Sequence, residues 1–189
     1  MGGDYVHREA KYIEPLFNEF RNLKTKGGIY AVLGNHDHWE DATLTKQMML
    51  RNGINICDNK SYWVKINSDS IKIGGVGDLW EDTQELDSTI YDLKKTDFSI
   101  LISHSPDFIE TMPKDLVDFT LSGHTHGGQM TFFGLWAPIL PSKYGQKYRY
   151  GLKQFGKMQS YISSGVGTIT PPMRFFCRPE IVLIHLQNE

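Results

Sequence analysis

"YAVLGNHDHWED" occupies residues 30–41. An apolar run stops at Gly34, and Asn35, His36, Asp37 and His38 follow with no spacer. All four side chains can bind a metal or move a proton. "IYAVLG" (29–34) reads as a short buried strand. A glycine at its end lets the backbone turn sharply and present the next side chains to a crevice. The fold then depends on which other strands end in the same way.

Three more do. "MGGDYV" places Gly3-Asp4 where a strand should end. "FSILISH" (98–104) ends in Ser103-His104, and "FTLSGH" (119–124) runs into Gly123-His124-Thr125-His126. Between these strands the period changes. Residues 8–26 are predicted to form a helix, with Ile13, Leu16, Phe17, Phe20 and Leu23 on one stripe. Pro15 sits near its start and Gly27-Gly28 end it. A second helix is predicted over 41–51, with Asp41 or Thr43 as cap and Leu44, Met48 and Met49 inward. "SYWVKIN" and "SIKIGGVG" read as strands joined by the turn "SDS". "TQELDSTIYDLKK" reads as a helix and "PDFIETM" as a short one. "GQMTFF", "QSYISSG" and "EIVLIHL" read as strands separated by Gly/Pro-rich loops.

The first two thirds alternate helix and strand, which favours a mostly parallel sheet. The last third is nearly all strand, which suggests a second, mixed or antiparallel sheet. The expected fold class is α/β (α+β), a two-sheet β-sandwich flanked by helices. Residues 1–189 form one domain in this reading, as the length allows.

Where strands run parallel, their C-terminal ends lie along one edge. Asp4, Asn35, His104, His124 and His126 would then converge. Imidazole and carboxylate ligands suit Mn, Fe, Zn or Ni more than Ca. The absence of site cysteines argues against a structural zinc. A metal held this way acidifies its bound water toward hydroxide and polarises a phosphoryl oxygen. His36 fits the part of a histidine that protonates a leaving group, with Asp37 holding its ring in one tautomer.

The bulk numbers narrow the class. Hydrophobic residues make up 40% of the chain and charged residues 22%, ordinary for a globular protein. A net charge of −2 and the lack of any basic stretch give no case for nucleic acid. Cys57 and Cys177 lie far apart without CxxC spacing, which fits a reducing compartment. No apolar stretch reaches the roughly 18 residues of a spanning helix.

The pieces "GGDYV", "GNHDHW", "LISHSPD" and "SGHTHGGQ", in that order, resemble the calcineurin-like metallophosphoesterase superfamily. The tail "YISSGVGTITPPMRFFCRPEIVLIHL" is similar to its branch of small bacterial phosphohydrolases. The resemblance implies that Asp4 bridges two metals, that Asn35, His104 and His124 complete one metal site, and that His126 serves the other. It implies that His36 contacts the phosphate and protonates the leaving group. The substrate would be a phosphodiester or pyrophosphate, on a small molecule or a lipid-linked one. The expected location is cytoplasmic, and a lipid-linked substrate would add peripheral membrane contact at the inner face of the membrane.

The family's first motif, Asp-x-His, has no counterpart before Asp4. The chain is therefore expected to lack the first strand-helix unit, roughly 30 residues by the size of a βαβ unit. Three consequences are expected. Of the two metals in the complete site, at most one should bind tightly. Activity should be weak. The uncovered edge should favour a homodimer. The alternative is a non-catalytic binding scaffold on the same fold.

The remaining polar residues carry less. His38 reads either as a polar loop residue or as a substrate contact. Arg174 reads as a charge that could meet a phosphate. His7 and His185 read as bystanders, and "SSGVG" as a turn at a strand end. "MTFFGLWAPILP" (130–141) reads either as a loop packed on the second sheet or as a greasy wall for a lipid or nucleobase leaving group.

Overall fold

The computed structural model describes residues 1–66 and 69–187. Helix α1 (Ile13–Phe20) follows a single 3-10 turn at Ala10–Tyr12. It is much shorter than the 8–26 expected. Beyond Phe20 the next apolar residue on the stripe, Leu23, is exposed and has no core to reach. Most helical stability comes from burying a face, so the helix stops where its face stops.

Strand β1 (Ile29–Ala31) leads through Gly34 into helix α2 (Asn35–Arg51). The expected helix began at 41; instead Asn35 and His36 already lie in the first turn. Asp37 explains the early start. Its carboxylate reaches back to the Gly34 N–H at 2.9 Å, the acidic half of a capping box. Asp41 is non-helical, and its carboxylate accepts from the Leu44 N–H at 2.8 Å. The expected cap is therefore present, as the start of a second helical segment. β2 (Ile54–Ile56) pairs with β1 in parallel, a strand too short to show a period.

The large sheet has the order β3-β4-β5-β6-β8-β7. Strands β3 (Lys60–Ile66) and β4 (Asp69–Gly75) form the expected antiparallel pair. The expected turn "SDS" (68–70) falls partly outside the described residues, at 68, and its Asp69 and Ser70 already belong to β4. β4, β5 (Phe98–Ile102), β6 (Phe119–Ser122) and β8 (Met158–Ile162) run parallel. β7 (Gly151–Phe155), unforeseen, closes the edge as a hairpin with β8. The two sheets and their flanking helices make the α/β sandwich that the sequence suggested, but the division differs: β7 and β8 of the last third extend the large sheet by pairing β8 with β6, and the second sheet is the β1-β2 pair.

Three expected elements differ. "TQELDSTIYDLKK" keeps one turn, α3 (Asp87–Ile90). Its first half is captured by side chains instead: Asn59 accepts from the Glu85 N–H at 2.8 Å, and Gln84 donates to the Asp78 carbonyl at 2.7 Å. Such local bonds compete with helix formation. "GQMTFF" is not a strand but makes isolated bridges, Met130 to Phe175 and Phe132 to Trp136. "EIVLIHL" has strand composition and no ladder among the described residues; Ile181 is 91% exposed.

Alternation on the parallel strands decides the core. On β5, Leu101 packs with Phe108, Met158 and Ile162 on one face of the sheet. Ile102 packs with Val32 and Cys57 on the other, between the sheets. A third cluster joins α1 and α2 to β1 through Phe17, Leu33 and Met49. Burying a ring such as Phe17 contributes about 1.5–3 kcal/mol.

Candidate metal centre

The C-terminal ends of β1, β5 and β6 open on one place, and residues 1–4 thread between them. The Met1 ammonium donates to the Tyr30 carbonyl at 2.6 Å, and the Val32 N–H donates to the Met1 carbonyl at 3.2 Å. The first residues thus run beside β1 like a further strand end. They deliver Asp4 to the mouth of β5, where His104 stands. A Cβ on Gly34 would collide with the Asp4 carboxylate and the His104 ring. The glycine of "GNHD" is therefore needed for close approach, at a φ of −110° that any residue adopts.

Asp4, His104 and His124 each offer one ligand atom, and these atoms all lie within 4.8 Å of one another. His104 Nε2 is 3.1 Å from Asp4 Oδ2 and 3.1 Å from His124 Nδ1. The other nitrogen of His104, Nδ1, donates to the Gly2 carbonyl at 2.6 Å. That is the backbone support that orients a ligating imidazole. Asn35 Oδ1, one residue after Gly34, and His124 Nε2 are buried and have no hydrogen-bond partner among the described residues. Buried polar atoms are seldom left so. An Asp/His/His cluster with unpartnered buried polar atoms beside it fits a divalent transition metal.

Electrostatics agree with the geometry. Burial works against the Asp4 charge, but His104 beside it, by charge and hydrogen bond, brings the carboxyl down to about 2. Burial likewise opposes the His104 charge, and Asp4 raises that imidazole to about 9. Burial and the His104 charge push His124 down to about 3, and burial holds His126 at about 4. His124 and His126 are thereby held in the neutral form that binds metal, whereas His104 keeps its proton beside Asp4 and would give it up to a bound ion. Asp4, His124 and His126 all have left-handed φ, of 56°, 65° and 50°. Non-glycine strain of this kind collects at functional sites.

Other expected residues fall as follows. His126 lines the same groove as Asp4 and His104 but stands outside the three-residue cluster. His36 lies at the start of α2, its N–H donating to Asp4 Oδ1 at 2.9 Å. Asp37 does not hold its ring. The Asp37 carboxylate is spent on the N–H groups of Asp4 and Tyr5, at 2.8 Å each, and of Gly34. Burial, with the Asp4 charge beside it, pushes its pKa up to about 7 against the Gly34 and Tyr5 donors. The partner of His36 is His7, read from sequence as a bystander: their Nδ1 atoms are 3.2 Å apart. No spacing signal joins these two histidines. Arg174 is not free for a phosphate, because its guanidinium donates to the carbonyls of His126, Ser164 and Gly167. His38 is half-buried and does not line the groove.

The groove holds about 550 Å³. It runs from the cluster past Val6 and Phe20 of the helical side, Leu121 and Tyr161 of the large sheet, and Val182 and Ile184 of the tail.

This centre defines an α/β sandwich that gathers candidate metal ligands past the ends of β5 and β6. The family model of the calcineurin-like phosphoesterases matches residues 1–128. The chain belongs to that family. It is similar to the "uncharacterized metallophosphoesterase YkuE" of Bacillus subtilis, 33% identical over 97% of this chain and 63% of that one. It is similar to the "phosphodiesterase YaeI" of Escherichia coli, 28% identical over 98% of this chain and 68% of the relative. An "uncharacterized metallophosphoesterase" of Helicobacter pylori is 30% identical over 98% of this chain and 50% of its own length. The chain thus spans between half and about two thirds of the length of these relatives.

Proposed function

We propose that this protein is a metal-dependent phosphoesterase that hydrolyses a phosphodiester or pyrophosphate bond. The observation that carries the reading is the gathering of Asp4, His104 and His124, with Asn35 Oδ1 and His124 Nε2 buried and unpartnered. Asp4, Asn35, His104 and His124 would hold the metal, with His126 beside them. When bound, the metal would supply Lewis acidity and an acidified water. The residues do the rest. Gly2 orients His104, so that Nε2 faces the ligand cluster. Asp4 sits at the N-terminus of α2, whose dipole favours negative charge there. The same terminus would favour a phosphoryl group. His36, half-buried and braced by His7, would give a proton to the leaving oxygen.

The finer expectations on partners belong to the same reading. Phe133, Leu135 and Phe176 form an exposed apolar knob just after the "GHTH" motif, which supports contact with a membrane surface or a lipid-linked substrate. The unladdered tail and the apolar groove support a homodimer, which light scattering over a dilution series would detect.

The test is hydrolysis of bis(p-nitrophenyl) phosphate with added Mn²⁺. The expected result is slow turnover that a chelator or His104→Ala abolishes. Bound metal with no turnover would support the scaffold reading instead. Turnover that survives the chelator would refute the metal assignment.

A further inference from the structure

Two indoles flank the metal centre away from the groove; neither lines it. Trp39 follows His36 by three residues in α2, a spacing that puts both on one helical face. Their ring centroids are 4.7 Å apart at 76°. Trp80 comes from the loop after β4 and meets His124 edge-on, at 4.6 Å and 84°. The two indoles then stack on each other, at 6.3 Å and 25°. One aromatic surface therefore joins the candidate leaving-group acid to a candidate metal ligand.

This surface is open and fixed. Trp39 is 53% exposed and Trp80 48%. Buried Asp78 accepts from the N–H of Trp80 at 2.9 Å and of Glu81 at 3.1 Å. Glu81 in turn accepts the Trp39 indole N–H at 2.7 Å. Gly77 is pressed so closely against the Thr83 carbonyl that a Cβ would not fit. The loop thus holds Trp80 in place before any ligand arrives. The Trp39 indole donor is already used, so what this indole offers a ligand is its flat ring. A π-face recognises another flat ring by stacking, with little regard to its edge pattern.

We propose that Trp39 and Trp80 form a stacking platform for an aromatic ring carried on the phosphoester, a nucleobase being the biological case. The proposal rests on the phosphoesterase reading and deepens it. It assigns the substrate class to a nucleotidyl ester rather than an aliphatic one, and makes these two residues determinants of specificity.

The test is calorimetric binding of adenosine, AMP, glycerol 3-phosphate and phosphocholine to the metal-loaded protein. Trp39→Ala and Trp80→Ala should each weaken AMP binding about tenfold, since a stacked base contributes on that scale. Glycerol 3-phosphate binding should not change. Trp39→Phe should keep most of the affinity for AMP, and Trp63→Ala, on the far strand β3, should keep all of it. Three results would overturn the platform: AMP bound no tighter than glycerol 3-phosphate, equal losses for both ligands, or losses confined to phosphocholine. A protein that binds adenosine as tightly as AMP, and loses both with Trp39→Ala, would keep the platform and sink the phosphoesterase reading.

Discussion

His104 and Gly2, 102 positions apart, are joined by a 2.6 Å bond from the imidazole Nδ1–H to the carbonyl oxygen. The bond fixes the ring so that Nε2 faces Asp4 and His124. It needs the chain to pass very close to His104, and Gly3 permits that. A Cβ on Gly3 would lie 2.8 Å from His104 Nδ1 and 2.5 Å from the Gly34 nitrogen, on a backbone with φ of 88°. Gly3→Ala should therefore cost about 2 kcal/mol or more, from crowding and left-handed strain together. Urea unfolding of the two forms checks this; an unchanged midpoint would show that the N-terminal segment is not packed as described.

Asp37 serves stability more than proton transfer. Its buried carboxylate accepts three backbone N–H bonds that tie residues 4 and 5 to the start of α2. Bonds to a charged acceptor contribute about 1.5–3 kcal/mol each when broken singly, and losses within one cluster do not add. Asp37→Ala should destabilise by about 3 kcal/mol or more, measured by denaturant. If stability held and only turnover fell, Asp37 would belong to the chemistry.

His36 and His7 should differ in degree. Losing a general acid costs about 10²–10⁴ in rate. His36→Ala should fall in that range on a substrate with a poor leaving group. His7→Ala removes only the ring that braces His36, and should cost about tenfold or less. Steady-state rates of both variants decide it. Equal losses would make His7 a direct participant.

Much of this arrangement is legible in the sequence, for a physical reason. "GNHD", Ser-His and "GHTH" each follow a run of strand residues, and parallel strands bring such ends to one edge; Gly3-Asp4 joins them without a strand of its own, on a segment laid beside β1. The lengths of helices are less legible. Leu23 continues a helical stripe, yet only the fold shows that nothing lies opposite it. Asn59 and Asp78 unwind the segment after Thr83 through bonds from other parts of the chain. The His7–His36 contact and the Trp39–Trp80 stack each join elements distant in sequence, with no spacing rule to announce them.

The knob after "GHTH" should seek an apolar phase. Phe133 is 76% exposed and Leu135 81%. Burying such side chains contributes about 1.5–3 kcal/mol each. The protein should co-sediment with phosphatidylglycerol vesicles, and Phe133→Ser with Leu135→Ser should weaken this at least tenfold. Equal sedimentation of both forms would make the knob a simple surface loop.

The count of bound metal tests the account most directly. Asp4, His104 and His124 form the three-residue ligand cluster among the described residues, and His126 stands outside it. Catalytic sites hold an ion with three or more protein ligands. Elemental analysis after loading with Mn²⁺ or Zn²⁺ and exhaustive dialysis should find one ion per chain, and none in His104→Ala. Two retained ions, or one that survives His104→Ala, would contradict the centre described.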